Sequence, residues 1–230
     1  AKLRGEIEWQ EIWSDKFHVE AASGDGGKTS GYSTEFVDKT EEISFSAAGE
    51  TYFYSAQCFF QGNHFLIEKL LDAALSGASG PKALDLYSGV GLFALPISRK
   101  FEKVIAVEDN EVSVDFAKRN VGHAGLSNIE LVRMSVDHGV FEIDTMDVDF
   151  ILLDPPRAGA SNKTMAKIID IGAKAISYVS CDPSILARDL RKFADAGYEI
   201  ESITAVDLFP QTHHVETVVR LSQEKLIKEL

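Results

Sequence analysis

This sequence has few cysteines, a shortage of basic residues and no long hydrophobic run, and each absence excludes something. Its two cysteines, Cys58 and Cys181, are far apart in a chain of 230 residues. That is too few for the disulfide framework of a small secreted domain, so a reducing cytoplasm is the expected location. No Cys, His or Asp cluster falls at metal-ligand spacing, so no metal is expected. The adjacent His213 and His214 are read as turn or base-stacking residues rather than a metal pair. No apolar stretch is long enough to span a bilayer, and no membrane contact is expected. The opening Ala-Lys-Leu-Arg-Gly-Glu lacks the apolar core of a signal peptide. With no initiator Met, the chain reads as a piece of a longer protein. Lys and Arg number 23 against 36 Asp and Glu, a net charge of −13. Such a balance opposes broad electrostatic contact with nucleic acid, while leaving room for a local basic patch.

What is present is ordinary for a soluble globular chain: 45% hydrophobic and 26% charged residues, enough for one large domain with a small appendage. Residues 1–62 read as a β-rich remnant of another domain. Short strands are expected at 5–9, 16–20 and 51–54, and the Gly-rich run from Ser23 to Gly31 reads as a flexible loop. From 63 to the end the pattern suggests one domain. A helix is expected over 63–76, stopped by Gly77 and Gly80-Pro81. Apolar runs at 83–87, 104–108, 129–132, 150–154 and 175–179 then alternate with helical segments such as 112–124, 162–174 and 184–196. Near-continuous apolar strands between helices mean a parallel sheet covered on both faces, a doubly wound α/β fold. Two last strands, 200–209 and 215–221, have no helix between them. They can pair antiparallel, which makes a seven-stranded sheet with one reversed strand.

In such a sheet ligands bind beyond the carboxyl ends of the strands. The first end carries "DLYSGVGLFALP", where Gly89 and Gly91 let backbone approach a ligand. The second ends in Glu108, 17 residues beyond Gly91, placed to accept the two hydroxyls of a ribose. Asp85 ahead of the glycines tips the balance from NAD toward S-adenosylmethionine. The fourth ends in "LLDPPR", whose two prolines hold the Asp154 carboxylate on a stiff loop without amide donors. The fifth ends in Cys181, just before a helix starting near Pro183 whose N-terminus should favour thiolate. Glu216 lies among Val215, Val218 and Val219, either outward-facing or placed for a purpose.

Together "DLYSGVGLFALP", "LLDPPRAG", "SYVSCDPSILARDL" and "DLFPQTHHVETV" resemble the RNA 5-methyluridine methyltransferases that act on tRNA and rRNA, and "FFQGN" at 59–63 resembles the element ahead of their catalytic domain. The resemblance spans about residues 52–222 and implies a Rossmann-like class I methyltransferase fold. It implies Cys181 as nucleophile and Glu216 as base. It also implies Gln61, Tyr87, Glu108 and Asp154 as contacts to S-adenosylmethionine, with RNA as substrate partner. Two departures stand out. Cys58 replaces a residue that is usually serine, and the basic N-terminal module and most of the central domain are missing. The iron–sulfur cluster that some members hold on four cysteines cannot form on two. A monomer is the default expectation.

The chemistry asks for the same residues. C5 of uracil is a poor nucleophile until a thiolate adds at C6, and a base must later remove the C5 proton. The base must also be flipped out of its stack. Two rivals are weighed. A 5-methylcytosine RNA methyltransferase typically has a cysteine directly after its Asp-Pro-Pro segment, where Arg157 stands here. A non-catalytic RNA- or cofactor-binding fragment would keep the fold without the chemistry.

Overall fold

The computed structural model describes residues 19–33, 40–212 and 214–223. The strand expected at 5–9 lies outside them. The Gly-rich run is not a flexible loop. Strand β1 (Val19–Ser23) turns tightly through Asp25–Gly27 into β2 (Thr29–Ser33), and the two pair antiparallel. Gly26 and Gly27 adopt φ of 67° and 72°, which only glycine accepts without strain. Composition had signalled flexibility where glycine in fact permits a hairpin turn. A second hairpin, β3 (Ile43–Ala47) and β4 (Glu50–Tyr54), follows.

The expected first helix is shorter than its pattern. It is a 3-10 turn at His64–Leu66 leading into α1 (Ile67–Leu75). Beyond it the chain alternates: β5 (Gly80–Leu86), α2 (Ala94–Ser98), β6 (Phe101–Glu108), α3 (Glu111–His123), β7 (Ile129–Arg133) and α4 (Val136–Glu142). It continues with β8 (Phe150–Leu153), α5 (Asn162–Ile171), β9 (Ala175–Ser180), α6 (Pro183–Asp195), β10 (Glu199–Val206) and β11 (Glu216–Ser222). Helix α5 stops short of the expected 174 because Gly172 takes a left-handed cap at φ 66°. The seven strands from β5 on form one sheet in the order β10-β11-β9-β8-β5-β6-β7. β11 runs antiparallel to both neighbours, and the pairs among β5 to β9 are parallel. That is the expected seven-stranded, doubly wound sheet with one reversed strand.

Its apolar runs are continuous because alternate residues serve two cores. Ala83, Val104, Phe150, Leu152, Val179 and Val218 face a cluster with Leu70 and Leu71 of α1 and Leu95 of α2. Leu84, Ile105, Ile151, Leu153, Ile176 and Val219 face the other, with Val140 of α4, Met165 of α5 and Phe193 of α6. The β3–β4 hairpin joins the first core. Tyr52 is fully buried there and donates from its hydroxyl to the Leu92 carbonyl at 3.2 Å. Asn120 of α3, also fully buried, accepts from the Phe53 amide at 2.8 Å and donates to the carbonyls of Phe53 and Val90. One side chain therefore ties the hairpin to the loop after β5. No helix among the described residues is long and apolar enough to cross a membrane.

Candidate functional site

The order of the sheet reverses between β5 and β8, because β5 is followed by β6 on one side while β8 and β9 lie on the other. That split opens a crevice beyond the strands' carboxyl ends. It holds a cavity of about 550 Å³ whose wall includes Gln61, Tyr87, Gly89, Glu108, Asp154, Cys181 and Glu216. Of the residues anticipated as binding or catalytic, only Gly91 is not in that wall. At φ 93° a Cβ on Gly91 would come within 2.8 Å of Leu95 Cδ1, so this glycine is required by the turn and its packing. Gly89 differs: with φ 54° its missing Cβ would meet no atom within 4 Å, so the backbone there faces open space.

Glu108 organises this end of the cavity. Its Oε2 accepts from the Gly89 amide at 2.8 Å, and its Oε1 accepts from the amides of Asp109 and Asn110 at 3.1 and 2.8 Å. Burial nevertheless raises its pKa, with the Asn110 and Gly89 amides pulling the other way and Asp109 adding to the rise. Tyr87, just beyond β5, lies in the left-handed region at φ 66°, a conformation that costs a non-glycine residue about 1 kcal/mol or more and collects at functional sites. A smaller cavity of about 100 Å³ adjoins, walled by Tyr87, Glu108, Asp109, Pro156 and the turn after β7 that leads from Ser135 into the start of α4 at Val136 and Asp137. Sequence reasoning missed that turn, although the strand-end rule applies to β7 as well.

The other end gathers Asp154, Cys181 and Glu216 from β8, β9 and β11. Glu216 is only 2% exposed, and burial pushes its carboxyl up to about 7. It is not outward-facing. Asp154 is raised well above the usual carboxylate range, by burial first and then by Glu216 and Asp85. What surface it keeps opens onto the cavity. Asp85 itself lies behind the wall, fully buried, with neither carboxylate oxygen in a well-formed hydrogen bond. Burial and the nearby Glu108 carry its pKa to about 8, and the Ala94 amide offsets this only in part. The buried Gln61 Oε1 is likewise without a hydrogen-bond partner.

The thiolate expectation for Cys181 needs correction. Its pKa is raised, by burial and then by Glu216, with Arg157 acting in the opposite direction. The amides of α6 are not free to help, because Asp182 caps the helix and accepts from Ser184 and Ile185 at 2.8 and 3.1 Å. Among the described residues Arg157 is the single Lys or Arg in the cavity wall, and in the sequence it was notable only as a non-cysteine. Phe59, 72% exposed, and Phe209 complete the mouth. His214 lies near Phe209, with ring centroids 6.2 Å apart, whereas His213 falls outside the described residues. Among the described residues no group of three or more His, Cys, Asp or Glu is placed to hold a metal ion.

A half-buried thiol, a buried acid and a glycine–glutamate cradle thus meet in one crevice. The residue profile described as tRNA (uracil-5-)-methyltransferase matches residues 6–224. The chain belongs to this family. An uncharacterized RNA methyltransferase of Streptomyces avermitilis is 39% identical over 181 residues, covering 76% of this chain and 41% of the relative. One from Thermotoga maritima is 40% identical over 168 residues, covering 71% and 38%. The chain thus spans about two fifths of the length of these curated relatives. Among solved structures, the tRNA (uracil-54, C5)-methyltransferase of Pyrococcus abyssi, in complex with S-adenosyl-L-homocysteine, superposes with a TM-score of 0.72 at 29% identity. It covers 83% of this chain, and the chain covers 48% of it. The M. jannaschii tRNA m1G37 methyltransferase, at 13% identity and a TM-score of 0.62 over 85% of this chain and 60% of its own, shares the fold alone. The family's fold accounts for the strand order described above.

Proposed function

We propose that this chain is the catalytic part of an S-adenosylmethionine-dependent RNA methyltransferase that methylates C5 of a uridine in tRNA or rRNA through a covalent cysteine adduct at C6. The observation that carries the reading is the meeting of Cys181 and Glu216 with the Gly89–Glu108 cradle in one cavity. Family membership and the likeness to a uracil-54 enzyme holding S-adenosyl-L-homocysteine support it.

The residues fit the cofactor. Gly89 leaves open space where a side chain would stand, and Glu108 offers carboxylate oxygens to a ribose diol. The small cavity beside Tyr87 and Ser135 suits a planar base. At the far end Asp154 in the wall, with Asp85 behind it and Glu216 beside it, forms a crowd of carboxyls whose mutual repulsion a positive charge of the methionine part would relieve. Gln61 brings an unsatisfied amide oxygen to the same wall. When bound, the cofactor supplies an electrophilic methyl group.

The chain's own residues do the rest. The uracil enters past Phe59 and Phe209, flipped from its stack. Cys181 loses its proton to solvent and its sulfur, now thiolate, bonds to C6, which transfers electron density to C5 and makes that carbon nucleophilic. After C5 is methylated, Glu216 takes the C5 proton, and the electron pair left behind expels the Cys181 sulfur as thiolate. A carboxyl with its pKa near 7 is well matched to that task, because it is a stronger base than an exposed carboxylate and still ionises at neutral pH. Arg157 favours the thiolate against the surrounding carboxylates.

The test uses the full-length protein, since RNA affinity is expected to depend on regions beyond this chain. Cys181→Ala should abolish both methylation and covalent complex. Glu216→Gln should add to RNA, accept the methyl group and stall, leaving a denaturation-resistant band that carries the methyl. Near-normal turnover by Glu216→Gln without a trapped band would remove it as the base. A band on cytidine rather than uridine substrate would move the protein to the 5-methylcytosine class.

A further inference from the structure

Asp189 of α6 has no exposed surface and lies outside the cavity wall, yet it is the most heavily bonded carboxylate near the site. Its Oδ2 accepts from the Tyr178 hydroxyl at 2.9 Å and from Arg188 Nη2 at 3.0 Å. Its Oδ1 accepts from Arg188 Nε and Lys192 Nζ, each at 2.9 Å. Tyr178 is fully buried in β9, three residues before Cys181. The carboxylate therefore fastens the strand that leads into the thiol to the helix that leads out of it.

A second element ends against the same atoms. After Asp154, Pro155 and Pro156 the chain turns, with the Gly159 amide donating to the Pro156 carbonyl at 2.7 Å. At Gly159 the backbone has φ 76°, and a Cβ would stand 2.9 Å from Asp189 Oδ2 and 2.6 Å from Ile185 Cγ2. The turn that presents Pro156 and Arg157 to the cavity is thus seated directly on Asp189. The Ala160 amide reaches the Tyr178 hydroxyl from the same loop. Beyond it, Ser161 caps α5 and donates to Asp137 at 2.7 Å, a residue in the wall of the smaller cavity.

Burying a charge is expensive even when it is paired, and an apolar residue of similar volume often serves stability as well or better. A fully buried carboxylate bonded on three sides is thus better explained by the geometry it fixes than by stability. We infer that Asp189 is a positioning residue that locks the β9–α6 junction carrying Cys181 against the Pro156–Gly159 turn, and so sets the thiol opposite Arg157 and Asp154 across the cavity. The inference rests on Cys181 being the nucleophile.

The test is made in the full-length protein with Asp189→Asn and Tyr178→Phe, both well below their unfolding temperatures. Three quantities are measured: cofactor affinity by calorimetry, single-turnover methylation, and alkylation of Cys181 by N-ethylmaleimide read by peptide mass. Asp189→Asn should leave cofactor Kd within about twofold, slow methylation at least tenfold and speed alkylation at least threefold, because a loosened junction exposes the thiol while misplacing it. Tyr178→Phe should move both rates the same way by less. Wild-type rates of methylation and alkylation in folded Asp189→Asn, with only a lower melting temperature, would overturn the inference. If that variant does not fold, Tyr178→Phe decides on the same two rates. Cys181→Ala is run alongside: if it still methylates C5, the nucleophile assignment fails, and the alkylation rates alone then judge whether Asp189 holds the junction.

Discussion

Replacing Glu216 with Gln should make the protein more stable at alkaline pH while stopping its turnover. The structure holds this carboxyl 2% exposed, and burial lifts its pKa from 4.5 to about 7. A shift of about 2.5 units corresponds to roughly 3 kcal/mol at 1.36 kcal/mol per unit. Because the folded pKa is above the unfolded one, the folded state binds the proton more tightly. The stabilising contribution is complete below about pH 4.5 and is lost as pH rises through about 7. Glutamine stays neutral throughout and imitates the protonated acid. Wild type and Glu216→Gln should therefore melt at similar temperatures at pH 4.5. By pH 8.5 the variant should be ahead by about 3 kcal/mol, which for a domain of this size is roughly 6–12 °C. Relief of Asp154, whose pKa Glu216 also raises, works in the same direction. The assay is thermal unfolding followed by circular dichroism across that range. A melting difference that does not change with pH would show that Glu216 does not titrate there and would undo the argument for it as a base near neutrality. Turnover in the wild type should meanwhile rise through about pH 7 as Glu216 ionises, so activity and stability move in opposite directions.

Three further outcomes are expected. Glu108→Ala should weaken S-adenosylmethionine binding by about 1.5 to 3 kcal/mol, the range for hydrogen bonds to a charged group; calorimetry giving unchanged affinity would remove Glu108 from the ribose site. Asp182→Ala should cost about 1 kcal/mol of stability as α6 loses its cap, and should lower the Cys181 pKa by freeing the Ser184 and Ile185 amides; an alkylation–pH profile that stays in place would refute the second half. The isolated chain, at −13, should bind tRNA or rRNA weakly and with a shallow salt dependence. Tight binding by the chain alone, with a steep salt slope in filter binding, would contradict this.

The sequence by itself determined the sheet and most of the cavity. Runs such as 150–153 are apolar at every position because both faces of β8 are covered, and that signal survives without any knowledge of partners. Gly89, Glu108, Asp154 and Cys181 were legible because strand ends in a parallel sheet converge, so the end of each run is a place in space as well as in sequence. The hairpin at 19–33 was not legible, since glycine reports permission for a turn and not whether strands on either side find each other. Only the tertiary structure decided the electrostatics. The Cys181 thiol is raised rather than lowered because burial disfavours the thiolate and Glu216 arrives from a strand 35 residues later, while Asp182 occupies the helix amides that could have opposed them. Tertiary structure alone also separated Gly91, packed on Leu95, from Gly89, open to the cavity. Nothing in the sequence sets Asp189 apart within the helical segment 184–196. This residue is a buried clamp because Tyr178 and Gly159, which close over it, come from two other segments of the chain.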